Sequence, residues 1–496
     1  MEIKKEFSCV EHCGKAFTRQ IEVENDFQAA LPAYCDDVYR IVNCCANSSI
    51  NSAEISINEI KLYGKTEICI TYYNESSSLC YVDFEEEFVK TVNAEGLSDS
   101  AFLSAEIFDK YTNYRVINQR RIDVHSSSVI QLTVYDKNNC PSVCSCDNSK
   151  LKIEKYKVAD IFNTAKQKLE FDEEFTLPSG SEPIKRVVAF NMFSSLSEIK
   201  LIKDKALIKA VVSVSILYTA DNDSEALERA EYSFNASKII DSPGISDEDL
   251  AIVKLNNASL FVKAKSNSND KITGLDVFGD IMADITFIKE KETELVNDGY
   301  IPYYQSECTY SDFSFSEAGK RISDNKSFNL SYRMPDDVEK IYDVSLKVGN
   351  ITTGNGVIKA KAQISVIFES ISKEISSFSG EEDLSFDING FSDAVTSIYI
   401  NSYDYTISNN NTLELRLNVN LEAYAFNNRT AKVLSDIFPG ENRINMPALT
   451  VYFGKTNESL WDIAKAFSSD LTAIKNENNL QGDTLSSQRV LIIPKA

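Results

Sequence analysis

Apolar and polar residues alternate with a period of two over most of this chain. Residues 59–73, 198–218 and 413–424 place Val, Ile, Leu, Tyr or Phe at every second position for long stretches. Because successive side chains of a strand point to opposite faces of a sheet, this alternation is typical of half-buried antiparallel strands. The pattern predicts a mainly β protein.

The same β pattern occurs three times along the chain. Each copy opens with an apolar residue before proline, at Leu31, Leu177 and Met334, and then passes through hairpins and an acidic, aromatic strand. Such self-similarity predicts three tandem all-β, sandwich-like repeats. The predicted domains are a Cys-rich first β-module at 1–150, a connecting helix and second β-module at 151–305, and a linker and third β-module at 306–440.

Two segments between the copies depart from the alternation. Residues 154–169 carry apolar side chains at helical spacing, which predicts a short connecting helix. Residues 297–326 are polar, rich in Ser and Tyr and contain Pro302, which predicts a linker. The predicted apolar face of the helix consists of Val158, Ile161, Phe162 and Ala165.

The C-terminal segment has a different pattern and predicts a separate small domain at 448–496. Ser459 and Asp462 have the S-x-x-D spacing of a capping box, so a helix is expected to begin at Leu460. Residues 468–470 offer a second helix N-cap, and residues 490–493 form a closing apolar strand. An alternating apolar strand precedes the first helix, at Leu449, Val451 and Phe453.

The helices of this segment predict a compact core. Leu460 and Ile463 lie on one helical face, and Trp461 between them is interpreted as a core residue in preference to a sugar-stacking platform. The predicted arrangement is β-α-α-β. Its expected core is Leu460, Trp461, Ile463, Ile474, Leu491 and Ile493.

The segment resembles a LysM domain, with the W-x-I-A run at Trp461, the mid-domain Asn478 and the closing I-P at Pro494. Asn457 and Gln488 stand where the family usually has glycine. The resemblance implies a shallow groove between two loops, which in the family holds N-acetylglucosamine-containing glycan. The implied groove residues are Asn457, Glu458, Ser459, Asn479, Leu480, Gln481 and Gly482.

Three acidic β-modules before a C-terminal LysM resemble the SPOCS-domain proteins of spore-forming Firmicutes, the SipL-like spore coat morphogenetic family. The resemblance implies a non-enzymatic structural adaptor that helps to encase the forespore. Its LysM domain would dock on a coat scaffold protein, a SpoIVA-like ATPase, and self-assembly is kept open. The alternative is a peptidoglycan-binding protein of the cell wall or spore cortex.

Composition excludes several partners. The net charge is −23, with 74 acidic and 51 basic residues and no basic cluster, which argues against nucleic acid. No apolar run is long enough to span a membrane. The first residues lack the apolar region of a signal peptide, so the expected location is the mother-cell cytoplasm, at the forespore surface or in the spore coat.

The inventory for catalysis is small, and no cofactor is expected. The chain has two histidines and no glycine-rich phosphate loop, and its acidic runs are typical of solvated surfaces. Ten of the eleven cysteines precede residue 147. They are interpreted as free thiols, as sites of crosslinking in a later oxidised layer, or as part of a thiolate metal cluster. The candidate cluster is Cys9, Cys13, Cys140, Cys144 and Cys146.

Overall fold

A computed structural model describes residues 4–266, 271–443, 447 and 449–495. The first module contains β1 Lys5–Ala30, β2 Val38–Ser56, β3 Glu59–Asn74, β4 Leu79–Asn93, β5 Phe102–Asn118 and β6 Arg121–Cys146. The second contains β7 Lys150–Thr176, β8 Ile184–Ile202, β9 Lys205–Ala220, β10 Leu227–Asp241, β11 Leu250–Ser266 and β12 Ile272–Tyr300. The third contains β13 Tyr304–Arg333, β14 Val338–Gly354, β15 Val357–Ser370, β16 Ile375–Asp387, β17 Asp393–Ser408 and β18 Thr412–Arg443. The C-terminal module contains β19 Leu449–Gly454, α1 Leu460–Ala466, α2 Leu471–Glu477 and β20 Arg489–Pro494.

The three large modules repeat one topology. In each, the first strand pairs with the sixth and the sixth with the fifth, as in β1-β6-β5, while the second, third and fourth form another antiparallel sheet, as in β2-β3-β4. A bridge between Val158 of β7 and Glu317 of β13 joins the long sheets of modules two and three. The predicted fold class, mainly β with three sandwich-like repeats and a small βααβ domain, is confirmed.

Alternation along the strands produces the sandwich cores. In β3, Ile68 and Ile70 are buried and meet Ile122 and Val124 of β6, which belongs to the other sheet of the same module. The intervening residue Cys69 lies on the opposite face of its sheet. The sheet pairs of the second and third modules enclose larger cores of the same kind.

Apolar residues of different modules also pack together in shared cores, so the three modules are not structurally independent domains. The short sheets meet in one apolar cluster, to which the first module contributes Val42, the second Val188 and the third Tyr342. The long strand pairs meet in further clusters. One of these combines Tyr135 of β6, Ile288 of β12 and Phe426 of β18.

A buried histidine joins all three modules. His12 of β1 lies 2.7 Å through Nδ1 from Asp160 Oδ1 of β7, and the backbone N–H of Ser316 in β13 donates to His12 Nε2 over 3.0 Å. Because Nε2 accepts this bond, the proton of the neutral ring resides on Nδ1 and is donated to Asp160. Lys291 forms an ion pair with the second oxygen of Asp160.

The predicted connecting helix at residues 154–169 is wrong, because this segment lies inside strand β7. The register between β7 and β12 pairs Ile161 with Ile288 and Asn163 with Phe287, which leaves Phe162 in a bulge. A bulge shifts the phase of alternation by one residue. It therefore gives the apolar positions a spacing that resembles a helix.

The predicted linker at residues 297–326 is also wrong. It holds the end of β12, a turn, and most of the 30-residue strand β13. Ser, Thr and Tyr suit a strand with one exposed face, and Phe313 and Phe315 are buried within it. The chain reverses at Pro302 and Tyr303, where Tyr303 has a φ of 69°.

Candidate functional site

The C-terminal module is built on a two-stranded hairpin covered by two short helices. β19 and β20 pair antiparallel from Leu449 opposite Pro494 to Gly454 opposite Arg489. The predicted start at residue 448 lies outside the described residues. The structure buries all the expected core residues, Leu460, Trp461, Ile463, Ile474, Leu491 and Ile493.

Of the two helix caps that the sequence predicts in this module, the structure forms one. α1 begins at Leu460 as predicted, but Ser459 makes no side-chain cap bond, so the capping box expected from Ser459 and Asp462 is wrong. Asp470 caps α2 by accepting from the N–H groups of Thr472 and Ala473.

Asn478 joins α2 to the closing strand. Its amide nitrogen donates to the carbonyl of Ile492 over 2.7 Å and to that of Ile474 over 2.8 Å, while its oxygen accepts from the Ile492 N–H over 2.7 Å. Asn478 is buried, and each polar atom of its amide has a partner. The helix and the strand are therefore fixed to each other by one side chain.

The two predicted groove loops lie close together because the first loop and the start of α1 bond to residues 483–485, at the end of the second loop. Leu460 N–H donates to the Asp483 carbonyl over 2.9 Å, and Asn457 N–H donates to the Leu485 carbonyl over 2.8 Å. Asn457 has a φ of 65° and Asn479 a φ of 49°, the left-handed conformation that Asn tolerates better than most residues. Asn457 therefore supplies the backbone turn for which the family usually has glycine.

The side chains of the groove differ in how free they are. Asn457, Asn479, Gln481 and Gly482 are exposed, whereas Ser459 and Leu480 are half-buried. The last of the seven, Glu458, is held by the loop itself, as described next.

Glu458 closes the first groove loop. The Lys455 N–H donates to its Oε2 over 2.8 Å and the Tyr452 hydroxyl to its Oε1 over 2.7 Å. The backbone bond from Lys455 and the bond from Tyr452 lower the pKa of the Glu458 carboxyl. Both of its oxygens are engaged within the module, so Glu458 shapes the loop.

Trp461 faces the large β-modules. Its indole Nε1 donates to Asp298 Oδ2 over 2.8 Å, and its ring meets that of Tyr300 edge-on with centroids 5.2 Å apart. Lys465, one turn later in α1, reaches Asp298 Oδ1 over 2.6 Å. A second contact joins Lys150 to Asp470. We call this contact region, comprising Lys150, Asp298, Tyr300, Trp461, Lys465 and Asp470, the tail interface.

No sequence pattern predicts the tail interface. Asp298 and Tyr300 end β12, more than 150 positions before Trp461. The segment from 297 to 326 is polar, rich in Ser and Tyr and contains Pro302, and this composition predicts a linker and no contact surface. The fixed docking of the small module on this turn appears only in the structure.

The outer face of the β19–β20 hairpin is apolar and exposed. The alternating residues of β19 point outward, while Tyr452 between them packs against Phe467. Phe453 is 74% exposed and stands opposite Val490, which is 51% exposed. We call this surface the hairpin face, comprising Leu449, Val451, Phe453 and Val490.

The cysteines of the candidate metal cluster do not converge. Within residues 4–266, 271–443, 447 and 449–495, no three His, Cys, Asp or Glu side chains come together as a metal site. Cys9 and Cys144 are exposed while Cys13 and Cys140 are buried. Burial raises the pKa of Cys13 to about 12, which disfavours the thiolate that a metal requires. The thiolate cluster is therefore not supported.

Two family models match the chain. The SPOCS domain of SipL matches residues 183–264, which span β8 to β11, and the LysM domain matches residues 455–494. No curated protein and no solved structure matches the chain. The architecture that the sequence resembled, SPOCS followed by LysM, is thus confirmed.

These matches suggest a sporulation-related protein with a module of the peptidoglycan-binding type. Neither matched family is known for enzymes. Among residues 4–266, 271–443, 447 and 449–495, the helices fall short of the length and apolar character that spanning a bilayer requires.

Proposed function

We propose that this chain is a non-enzymatic adaptor of the spore envelope. It acts in the mother cell at the forespore surface, where the three β-modules form a scaffold and the LysM module docks on a coat scaffold protein, a SpoIVA-like ATPase. The SPOCS and LysM matches support the setting. The shared cores of the three modules support a rigid scaffold.

The observation that carries the choice of a protein partner is the hairpin face. Its four apolar side chains are each more than half exposed and belong to two adjacent strands. Burying apolar surface contributes about 25 cal/mol per Å². A protein partner can cover such a patch, whereas a neutral sugar is held by hydroxyl contacts and by stacking on exposed rings.

The groove offers little aromatic surface for stacking. Trp461, the single tryptophan, is buried at the tail interface and its N–H is occupied by Asp298. The exposed groove side chains are Asn457, Asn479 and Gln481. They can still bond glycan hydroxyls, and this observation together with the LysM match keeps peptidoglycan as the second candidate.

The test uses the full chain against two probes, a purified SpoIVA-type coat ATPase and purified peptidoglycan. The double change Val451→Ser and Phe453→Ser should weaken retention of the ATPase by tenfold or more and leave the fold intact. The change Ile57→Ser is the control, because Ile57 is 91% exposed at a distant turn. Trp461 fluorescence verifies that each variant keeps the tail interface.

The outcomes separate the candidates. Retention on peptidoglycan that is lost in Asn457→Ala/Gln481→Ala, without ATPase binding, would replace the first proposal by the second. Release of soluble fragments from labelled peptidoglycan would overturn the non-enzymatic part. ATPase binding that survives the hairpin-face change would move the docking surface elsewhere.

A further inference from the structure

Two cysteines stand directly opposite each other on neighbouring strands. In the antiparallel pair of β2 and β3, Cys45 is the register partner of Cys69. Directly opposite residues in such a pair have Cα atoms about 4.5 or 5.5 Å apart. Both separations lie within the range of about 4.4–6.8 Å that a disulfide spans. A bond between these two sulfurs therefore needs little movement of the backbone.

The two side chains lie on the face of the sheet that looks away from the module core. Ile68 and Ile70, on either side of Cys69, point into the sandwich, and Cys44 packs against that core. Cys45 and Cys69 share the other face, where the Tyr81 hydroxyl donates to Cys69 Sγ over 3.3 Å. Both cysteines are half-buried as residues.

This face meets the other two large modules. The Tyr81 ring packs on Phe190 of β8 with centroids 5.1 Å apart. Lys347 of β14 reaches the carbonyl of Ala46, the residue after Cys45, and lies 3.4 Å from Asp109. The thiol pair therefore lies where the short sheet of module one contacts modules two and three.

The surroundings make the two thiols unequal. The neighbouring Cys69 thiol lowers the pKa of Cys45 against the effect of burial; the Lys347 ammonium also lowers it, whereas Asp109 raises it. The proximity of Cys45 raises the pKa of Cys69, and burial raises it further. Because the thiolate is the reactive form, these directions favour Cys45 as the attacking sulfur and Cys69 as the resolving one.

We propose that Cys45 and Cys69 form a peroxide-reactive dithiol that closes into a cross-strand disulfide. The Cys45 thiolate attacks one oxygen of hydrogen peroxide, the O–O bond breaks, and the departing hydroxide takes up the proton released by Cys45 to leave as water. The Cys69 sulfur then attacks the sulfenic sulfur and displaces its hydroxyl, which leaves as a second water with the Cys69 proton. Two thiols are oxidised and one peroxide is reduced to two waters.

The disulfide would fasten β2 to β3 at the junction of the modules. It closes the chain between residues 45 and 69, which restricts the unfolded state and raises the thermal midpoint. This device is independent of the docking proposed for the LysM module, since it lies entirely outside residues 449–495. The disulfide would increase the stability of the scaffold once the spore envelope is exposed to an oxidant.

The test treats the native full chain with hydrogen peroxide, blocks remaining thiols and maps tryptic peptides. In a Cys44→Ala/Cys80→Ser background, peptides 41–61 and 66–90 each hold one cysteine. A link between them therefore identifies Cys45–Cys69. We expect this link, the loss of two hydrogens in peptide mass, and a higher thermal midpoint that dithiothreitol reverses.

Four variants sharpen the result. Cys45→Ser and Cys69→Ser in the same background should remove the link and the thermal shift, while Cys9→Ser should leave both unchanged. Lys347→Gln should slow the reaction severalfold. Recovery of both blocked thiols after peroxide has oxidised the exposed Cys9 would overturn the proposal, and so would a link that joins two chains.

Discussion

The indole N–H of Trp461 donates to the Asp298 carboxylate over 2.8 Å, which joins the C-terminal module to the turn between the second and third modules. Asp298 also accepts from Lys465 and from the Tyr310 hydroxyl, each over 2.6 Å. One carboxylate thus accepts hydrogen bonds from three side-chain donors in two parts of the chain. Since Trp461 is the only tryptophan, its fluorescence reports on this contact and on the core of the C-terminal module to which Trp461 belongs.

Replacing Asp298 should loosen the tail interface. Asp298→Ala leaves the Trp461 N–H and the Lys465 ammonium without their acceptor, at a cost of roughly 1–3 kcal/mol. We expect a red shift of Trp461 emission and a lower urea midpoint for the fluorescence transition. Asp312→Ala, which removes an exposed carboxylate on the adjacent strand β13, should change neither. Equal effects of the two substitutions would contradict the assigned contact.

The tail interface should also weaken in acid. Burial alone would raise the pKa of Asp298, but the bonds from Lys465, Tyr310 and Trp461 outweigh it and hold the pKa below its ordinary value of 3.8. The ionised form therefore stabilises the interface above pH 3.8, and this contribution is lost as the pH falls through the lower folded-state pKa.

The measurement is Trp461 emission during acid titration of the native chain and of Asp298→Asn. The native chain should show a transition below pH 4 that is absent or much smaller in the variant. Asp470 is the second carboxyl of the interface, and its pKa is lowered by the bond from Lys150. Identical titrations of the two chains would show that Asp298 does not supply the transition.

The two histidines should differ sharply in their importance for stability. His12→Ala leaves the buried Ser316 N–H without its acceptor, which costs roughly 1–3 kcal/mol, and it removes one donor from Asp160, which keeps its contacts with Lys291 and the Cys13 N–H. His125→Ala is the matched control, because His125 contacts an exposed Asp26. Its effect should stay within about 0.5 kcal/mol.

Urea denaturation followed by circular dichroism compares the two histidine variants. The His12 variant should unfold at a lower urea concentration. The loss of stability should extend to all three modules, since His12 lies in β1 and its side chain contacts β7 and β13. Equal midpoints for the two variants would contradict the junction.

Asn478 should be the most sensitive polar residue of the LysM module. Asn478→Ala leaves both backbone groups of Ile492 without their side-chain partner, and each buried group costs roughly 1–3 kcal/mol. Asn476→Ala, on the exposed side of the same helix, is the control. The Trp461 transition should move to lower urea only in the first variant. An unchanged midpoint would show that the side chain does not brace the module.

The sequence predicted what depends on local pattern. Alternation predicted the strands, and the spacing of Leu460, Ile463 and Ile474 predicted two helices with the core that the structure buries. It failed at Phe162, where one bulged residue gave a strand the spacing of a helix. A bulge depends on the neighbouring strand, so no local count of apolar residues could detect it.

Long-range pairings were the other limit. The sequence does not indicate that Cys45 and Cys69 are neighbours, because their proximity depends on the register of β2 with β3. The positions of the two groove loops, by contrast, could be predicted from the sequence, because the residues of the LysM pattern have a fixed spacing around those loops. How that module attaches to the body depends on Asp298 and Tyr300, which no motif marks.

The tail interface fixes the orientation of the LysM module relative to the three β-modules. A LysM module on a free tether would let a bound partner and the scaffold rotate independently. Here the helix that carries Trp461 is fastened to the body, while the hairpin face is left open. A partner bound at the hairpin face would therefore hold the three β-modules at one fixed angle to itself. Repeating one such angle is what allows identical subunits to cover a curved surface.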